Sequence, residues 1–240
     1  MKTIVIIQAR MGSTRLPGKI VKPLGTTDVL TYVTSRCQQI KHIEDVIVAT
    51  STLLQDDAVE TWCQKNGVTC FRGSEEDVLD RFVQCAKLYN PDYVMRVTAD
   101  CPFVDYELAS AIVEMMEYER KDLVSLAGNL PRGLAVELLS YQSLLTIHEK
   151  GHEPRHREHV TYYANEYEEE FTRAIYKVPS NRLYPELRIT LDTEEDYALC
   201  LAIANHFKDE LIPSEEVIQF LLDHPEIAKL NAYIEQKSVK

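Results

Sequence analysis

The feature that most constrains this chain is an apolar strand that runs directly into a basic, glycine-punctuated loop near its start. Thr3-Ile4-Val5-Ile6-Ile7 is a β-branched run without alternation, the pattern of a strand buried on both faces and hence of a sheet covered by helices. Gln8-Ala9-Arg10-Met11-Gly12-Ser13-Thr14-Arg15-Leu16-Pro17-Gly18-Lys19 follows. Arg10, Arg15 and Lys19 place three cations within ten residues, while Gly12 and Gly18 let a ligand approach the backbone. Exposed N–H groups and fixed cations beyond the carboxyl end of a buried strand make an anion site, where open α/β sheets bind ligands. The loop is not a Walker A motif: five residues separate Gly12 from Gly18-Lys19 instead of four, Pro17 lies among them, and Ile20 stands where Ser or Thr is required. The dinucleotide pattern G-x-G-x-x-G is also absent.

Downstream, strand and helix signals alternate. Asp28 can cap a helix over 29–41, followed by a strand at 45–50, a helix at 55–66 closed by Gly67, and a short strand at 68–71. Ser74, with Asp77 three residues later, gives a capping-box-like start to a helix reaching residue 89. A strand at 93–98 ends in Ala99-Asp100-Cys101-Pro102, then come a helix at 106–120 and a strand at 123–126. Residues 128–171 are less regular, with a possible added strand at 133–140. Strands are expected at 171–178 and 186–191, and a helix capped by Thr193 runs to 207. The acidic tail, 213–240, reads as helical packing or partner surface broken at Pro225. This alternation predicts an α/β protein, a three-layer α/β/α fold around a mainly parallel sheet. Without repeats, low-complexity segments or an evident linker, 1–240 reads as a single domain, with about 128–171 as a small insertion.

The net charge of −12 argues against a general nucleic-acid binder and sets the amino-terminal cations against an acidic background. The six cysteines contain no C-x-x-C pair and sit in apolar segments, as reduced thiols of a cytoplasmic protein would. The apolar run at 4–7 is too short for a signal-peptide core, and no stretch approaches a membrane span.

Two acids draw attention. Asp100, just past a central strand and two residues before a proline, is well placed to coordinate Mg²⁺ at the mouth of the sheet, with the capping of a turn as the plain alternative. At Asp192-Thr193-Glu194-Glu195-Asp196, the last three acids favour the first turn of a helix, which leaves Asp192 without a structural explanation. His148-Glu149-Lys150-Gly151-His152 matches the zinc-protease motif H-E-x-x-H. Gly151 and Pro154 weaken any helix there, so a helix end with exposed histidines is the favoured reading.

The run Ala9 to Lys19 resembles the signature of the nucleotidyltransferases that activate acidic sugars with CTP, the 3-deoxy-manno-octulosonate and acylneuraminate cytidylyltransferases, most closely their spore coat polysaccharide biosynthesis branch. In the octulosonate enzymes the pattern is roughly Ala-Arg, two residues, Ser-Thr-Arg-Leu-Pro-Gly-Lys. The resemblance implies a Rossmann-like, nucleotide-diphospho-sugar transferase fold and a CTP-dependent cytidylyltransferase. Such an enzyme makes a CMP-sugar from a keto-deoxy or nonulosonic acid, with release of pyrophosphate, for surface or spore-coat polysaccharide. It implies nucleotide binding by Ala9, Arg10, Gly12, Ser13, Arg15 and Lys19, with Ser74 and Arg81 by the base, and Mg²⁺ held by Asp100 and Asp192. The octulosonate enzymes carry Gln-Gly-Asp-Glu-Pro where this chain has Thr98-Ala99-Asp100-Cys101-Pro102. A homodimer is implied, with 128–171 forming the sugar pocket and dimer contact; Arg132, Glu137, Arg157 and His159 are the polar side chains available there. The alternative is a glycosyltransferase using a nucleotide-sugar donor, although the Asp-x-Asp motif usual in such enzymes is missing at Asp100-Cys101-Pro102.

Overall fold

A computed structural model of the chain describes residues 1–235. β1 (Thr3–Gln8) leads through the basic loop to a hairpin of β2 (Pro23–Leu24) and β3 (Thr27–Asp28), then to α1 (Val29–Gln38). The alternation continues with β4 (Asp45–Ser51), α2 (Asp57–Asn66), β5 (Thr69–Gly73), α3 (Val78–Tyr89), β6 (Tyr93–Thr98), α4 (Tyr106–Glu119) and β7 (Leu123–Ala127). β8 (Glu137–Ser140), α5 (Tyr141–Lys150), α6 (Pro154–Glu158), α7 (Tyr162–Glu166) and β9 (Arg173–Lys177) follow, and α8 (Glu194–Phe207), α9 (Ser214–Asp223) and α10 (Pro225–Ala228) complete the order.

Seven strands form one sheet in the order β5-β4-β1-β6-β8-β7-β9, and β8 alone runs antiparallel to its neighbours. The chain moves outward from β1 through β4 to β5 and then returns to lay β6 on the other side of β1. The strand order therefore reverses at the β1/β6 boundary, and the crevice beyond their carboxyl ends is where such sheets accept ligands.

The unalternating sequence of β1 has its reason in the layers. Val5 and Ile7 pack with α1, α2 and α4 on one face, while Ile4 and Ile6 pack with α3, α5 and α7 on the other. All four are fully buried, each contributing roughly 1.5–3 kcal/mol through its burial. A third core lies at the carboxyl end of the sheet, where Leu16 of the basic loop meets Leu187, Ile189 and Leu191 and the inner faces of α8 and α9.

Helix caps follow the sequence at several points: Asp28 accepts from the Thr31 amide, Gly67 closes α2 in the left-handed region at φ 65°, and Thr193 forms a capping box with Asp196. Elsewhere the structure differs. α1 stops at Gln38, and a 3₁₀ turn at Leu54–Asp56 precedes α2. Asp77, not Ser74, is the N-cap of α3; Ser74 Oγ instead accepts from the Asp77 amide and closes the preceding turn. The segment 186–191 is not a sheet strand. It is extended, with a single parallel bridge from Arg188 to Arg132, because its alternating apolar side chains serve the third core. The tail is helical through α9 and α10, with Pro225 at the first turn of the latter; residues 236–240 of that expectation lie outside the described residues. None of the six cysteines is in a disulfide. No helix among the described residues is long and apolar enough to cross a membrane.

Gly133 makes the crossing of 132–134 over 187–190 possible. Its φ is 100°, and a Cβ there would stand 2.4 Å from the Ile189 carbonyl oxygen. Gly133→Ala is expected to cost about 2 kcal/mol or more in urea unfolding, with a lower midpoint and unchanged slope. A variant as stable as the wild type would show that this crossing is not strained.

Candidate active site

A cleft of about 1430 Å³ opens at the β1/β6 boundary, lined by the basic loop, Thr98 at the end of β6 and the three residues after it, the stretch 128–137, and Thr190 and Asp192. The basic loop is anchored on its inner side by Leu16, fully buried, and by Met11, whose amide donates to Asp56 Oδ1 at 2.6 Å. Asp56 is itself fully buried and accepts from the Ser51 hydroxyl. Gly18, at φ 65°, turns the chain so that Lys19 re-enters the cleft.

Lys19 is the centre of the site. Its Nζ lies 2.8 Å from Asp100 Oδ2 and 2.8 Å from Asp192 Oδ1, so the two carboxylates, far apart in sequence, approach within twice that distance. Their backbones are stitched together as well: the Leu191 amide donates to the Asp100 carbonyl at 2.8 Å, and Thr190 Oγ1 to the same oxygen at 3.1 Å. Asp192 Oδ2 also faces Arg15 at 3.2 Å and Arg188 at 3.2 Å. Arg188 is held by Asp196 through contacts of 2.8 and 2.9 Å.

The electrostatics follow from this geometry. Burial alone would raise the Asp100 carboxyl, but the Lys19 ammonium, with hydrogen bonds from Lys19, Thr98 and its own backbone, holds it below its ordinary value. Burial opposes charge on Lys19, yet Asp100 and Asp192 outweigh it and raise its pKa. The Cys101 thiol beside them is pushed up to about 12, by burial first and by the Asp100 charge second. It stays protonated and is no nucleophile near neutrality.

The other residues expected in the site divide into three groups. Gly12, Ser13 and Arg15 line the cleft with Lys19, Asp100 and Asp192. The Ser13 amide is occupied within the loop by the Met11 carbonyl at 2.9 Å, and its hydroxyl accepts from the Leu16 amide. The amides of Gly12, Thr14 and Arg15 make no hydrogen bond among the described residues and remain available to an anion. Arg10 also lines the cleft but leans toward Glu75 Oε1, at 3.2 Å, and Glu158 Oε1, at 4.0 Å. Ala9, Ser74 and Arg81 do not line it. Ala9 is buried, with its amide on the Ala49 carbonyl, and Arg81 is buried with its guanidinium on the Ser74 carbonyl, so the latter pair shapes the turn that carries Glu75.

Of the polar residues at 128–171, Arg132, Glu137 and His159 line the cleft. Arg157 instead clamps Asp77 at the cap of α3, at 2.5 Å. The sequence reading missed Arg96, Gln8 and Arg188. Arg96 pairs with Glu137 and donates to Gln8 Oε1 at 3.1 Å. Burial would raise Glu137, but Arg96, helped by Thr161 and His159, keeps its carboxyl below the ordinary value. A charge within an otherwise apolar central strand was the available signal for Arg96. The H-E-x-x-H match is a helix end: α5 stops at Lys150, and His148 Nε2, only half-exposed, bonds Asp80 at 3.0 Å.

A doubly wound sheet with a cationic loop and convergent carboxylates at its switch point makes the site of an α/β protein that takes an anionic ligand. The cytidylyltransferase family model matches residues 4–238, and this chain belongs to the cytidylyltransferase family. It is therefore a nucleotidyltransferase by kinship. It is 35% identical to the spore coat polysaccharide biosynthesis protein SpsF of Bacillus subtilis, over 94% of this chain and 96% of that one. An uncharacterised protein of Methanocaldococcus jannaschii is 37% identical over 100% of this chain and 98% of its own. The solved structure of a cytidylyltransferase from Leptospira borgpetersenii superposes with a TM-score of 0.89 at 32% identity, covering 99% of this chain and 100% of that one. A CMP:2-keto-3-deoxy-manno-octonic acid synthetase complexed with CTP shares the fold, at TM-score 0.66 and 15% identity over 86% of this chain and 99% of that one.

The site predicts a pH signature in the absence of nucleotide. With its pKa below the ordinary 3.8, Asp100 adds stability above that value, and this is lost as pH falls through the depressed value. Lys19, raised above its ordinary 10.5, adds stability below that value and loses it as pH rises through the raised one. In Lys19→Met the burial of Asp100 persists without its main counter-charge, so carboxyl-carbon NMR should find Asp100 titrating well above its wild-type value. An unchanged titration would mean that Lys19 does not set it.

Proposed function

We propose that this protein is a CTP-dependent cytidylyltransferase that activates an acidic sugar to its CMP derivative with release of pyrophosphate, in the making of a surface or spore-coat polysaccharide. The observation that carries the reading is the meeting of Asp100 and Asp192 at Lys19, opposite a loop with open backbone amides. Likeness to SpsF of Bacillus subtilis over nearly the whole chain supports the polysaccharide role. Partial likeness to the 3-deoxy-manno-octulosonate cytidylyltransferase of Agrobacterium fabrum, 30% identical over 52% of this chain and 50% of that one, supports an acidic sugar.

Asp100 and Asp192 suit Mg²⁺ chemically: both offer hard oxygen donors, and Mg²⁺ is commonly held by one or two carboxylates with substrate phosphates and water supplying the rest. No cluster of three or more His, Cys, Asp or Glu able to hold a metal occurs among the described residues, so those further ligands would come from substrate and solvent. Bound there, the ion would supply charge neutralisation at the phosphates and a lowered pKa for a hydroxyl on it.

The chain's own residues supply positioning and charge. The amides of Gly12, Thr14 and Arg15 and the side chains of Arg15 and Lys19 receive the triphosphate, and Lys19 can turn its ammonium from the carboxylates to phosphate oxygens. Arg10, which lines the cleft while paired with Glu75, would add its charge to theirs once released from that carboxylate. Arg96, Glu137, His159 and Arg132 line the wall available to the sugar, whose anomeric oxygen attacks the α-phosphorus in line with departing pyrophosphate. The chain would act in the cytoplasm, where CTP is available, and as a homodimer.

With CTP, Mg²⁺ and a panel of keto-acid sugars, the protein is expected to release pyrophosphate. Asp100→Ala and Asp192→Ala should each lose about a hundredfold or more in kcat while remaining folded. Failure of any sugar to give turnover, together with no CTP binding by calorimetry, would refute the assignment.

A further inference from the structure

Asp192 is held by a buried network that the reaction as proposed does not use. Asp196, fully buried on the first turn of α8, accepts from the amides of Asp192, at 3.0 Å, and Thr193, at 3.2 Å, as well as from two nitrogens of Arg188. Asn231, beyond α10 and 1% exposed, donates through Nδ2 to Asp196 Oδ1 at 2.8 Å and to the Arg188 carbonyl at 3.0 Å. Tyr233, two residues on, donates to Glu195 Oε1 at 3.0 Å, so the segment after α10 grips the start of α8 twice. Helix capping alone would need only the reciprocal bonds between Thr193 and Asp196. It accounts neither for a buried carboxylate shared with an arginine nor for an asparagine brought from the far end of the chain.

We infer that Asp196 and Asn231 are positioning residues that keep Asp192 available to a divalent cation by holding Arg188 back from it. The inference rests on the metal-dependent transfer proposed above. Arg188 touches both aspartates, but its contacts with Asp196 are the shorter, 2.8 and 2.9 Å against 3.2 Å with Asp192. Were Asp196 uncharged, the Coulomb preference of the guanidinium would shift toward Asp192, and a guanidinium fully engaged on that carboxylate competes with a metal for the same oxygens. Asn231 acts one step further out. It satisfies Asp196 Oδ1 and fixes the backbone carbonyl of Arg188, the kind of outer-sphere support that governs metal sites. The last turn of the described chain thereby belongs to the active-site apparatus, although it lines no part of the cleft.

The test measures manganese binding by electron paramagnetic resonance in the full chain with CTP present and no sugar, for wild type, Asp196→Asn and Asn231→Ala. Thermal unfolding and CTP affinity without metal are measured alongside. Asp196→Asn is expected to weaken manganese about tenfold or more, and Asn231→Ala by a smaller but clear factor. CTP affinity without metal should stay within about twofold of wild type, because both residues lie outside the cleft. A purely structural role would lower the melting temperature and leave manganese affinity in the folded variants unchanged, which would overturn the inference. If Asp196→Asn fails to fold, Asn231→Ala, which keeps the capping box, decides alone. Wild type that binds CTP but no manganese would refute the metal reading itself, an outcome distinct from equal affinities in wild type and variant.

Discussion

The bridge of Lys19 to Asp100 and Asp192 is the interaction on which the arrangement of this protein turns. Two carboxylates held this close repel, and their joint presence in a partly buried cleft requires a cation between them. Lys19 supplies it from a loop fixed by three independent anchors: Leu16 in the third core, the Met11 amide on Asp56, and the left-handed turn at Gly18. The same bridge makes the site convertible. On the proposed reading, in which a divalent cation is held by the two acids, an ammonium on a flexible stem would exchange its carboxylate partners for phosphate.

The sheet sets the directions of the loops that build the site. Because β1 lies between β4 and β6, the loops after β1 and β6 open side by side, and the extended segment 187–191 reaches the same edge by hydrogen bonding to residue 132 on one side and to the Asp100 carbonyl on the other. The third core then locks the loop, the segment and α8 as one body. The cleft wall and the packing beneath it are therefore coupled at Gly133, which lines the cleft and lies against the backbone of Ile189 and Thr190, two residues before Asp192.

Much of this was legible in the sequence, and the reasons are specific. β1 declared itself because both its faces are buried, and Asp192 because Thr193 and its followers explained every neighbouring acid except that one. The strand expected at 186–191 shows the limit. Its alternation of Leu187, Ile189 and Leu191 is real, but periodicity records that one side is buried without recording against what, and the partner is a helix-bounded core rather than a strand. The capping pattern at Ser74 was ambiguous for a similar reason: a turn ending in Asp77 and a helix starting there leave nearly the same residues in sequence. Asp196 looked like a dipole-favoured acid, and its burial depends on the path that brings Arg188 and Asn231 to it, which no local pattern encodes. Arg96 carries its own signal, a charge in a central strand that needs a partner, and the partner is Glu137, opposite it on β8.

The most direct test of the central claim is a crystal structure with CTP and Mn²⁺, read by anomalous scattering. One strong manganese peak is expected within coordination distance of both Asp100 and Asp192, with Lys19 Nζ drawn off the carboxylates onto phosphate oxygen. Manganese bound elsewhere, or Lys19 still spanning the two aspartates with nucleotide in the cleft, would contradict it.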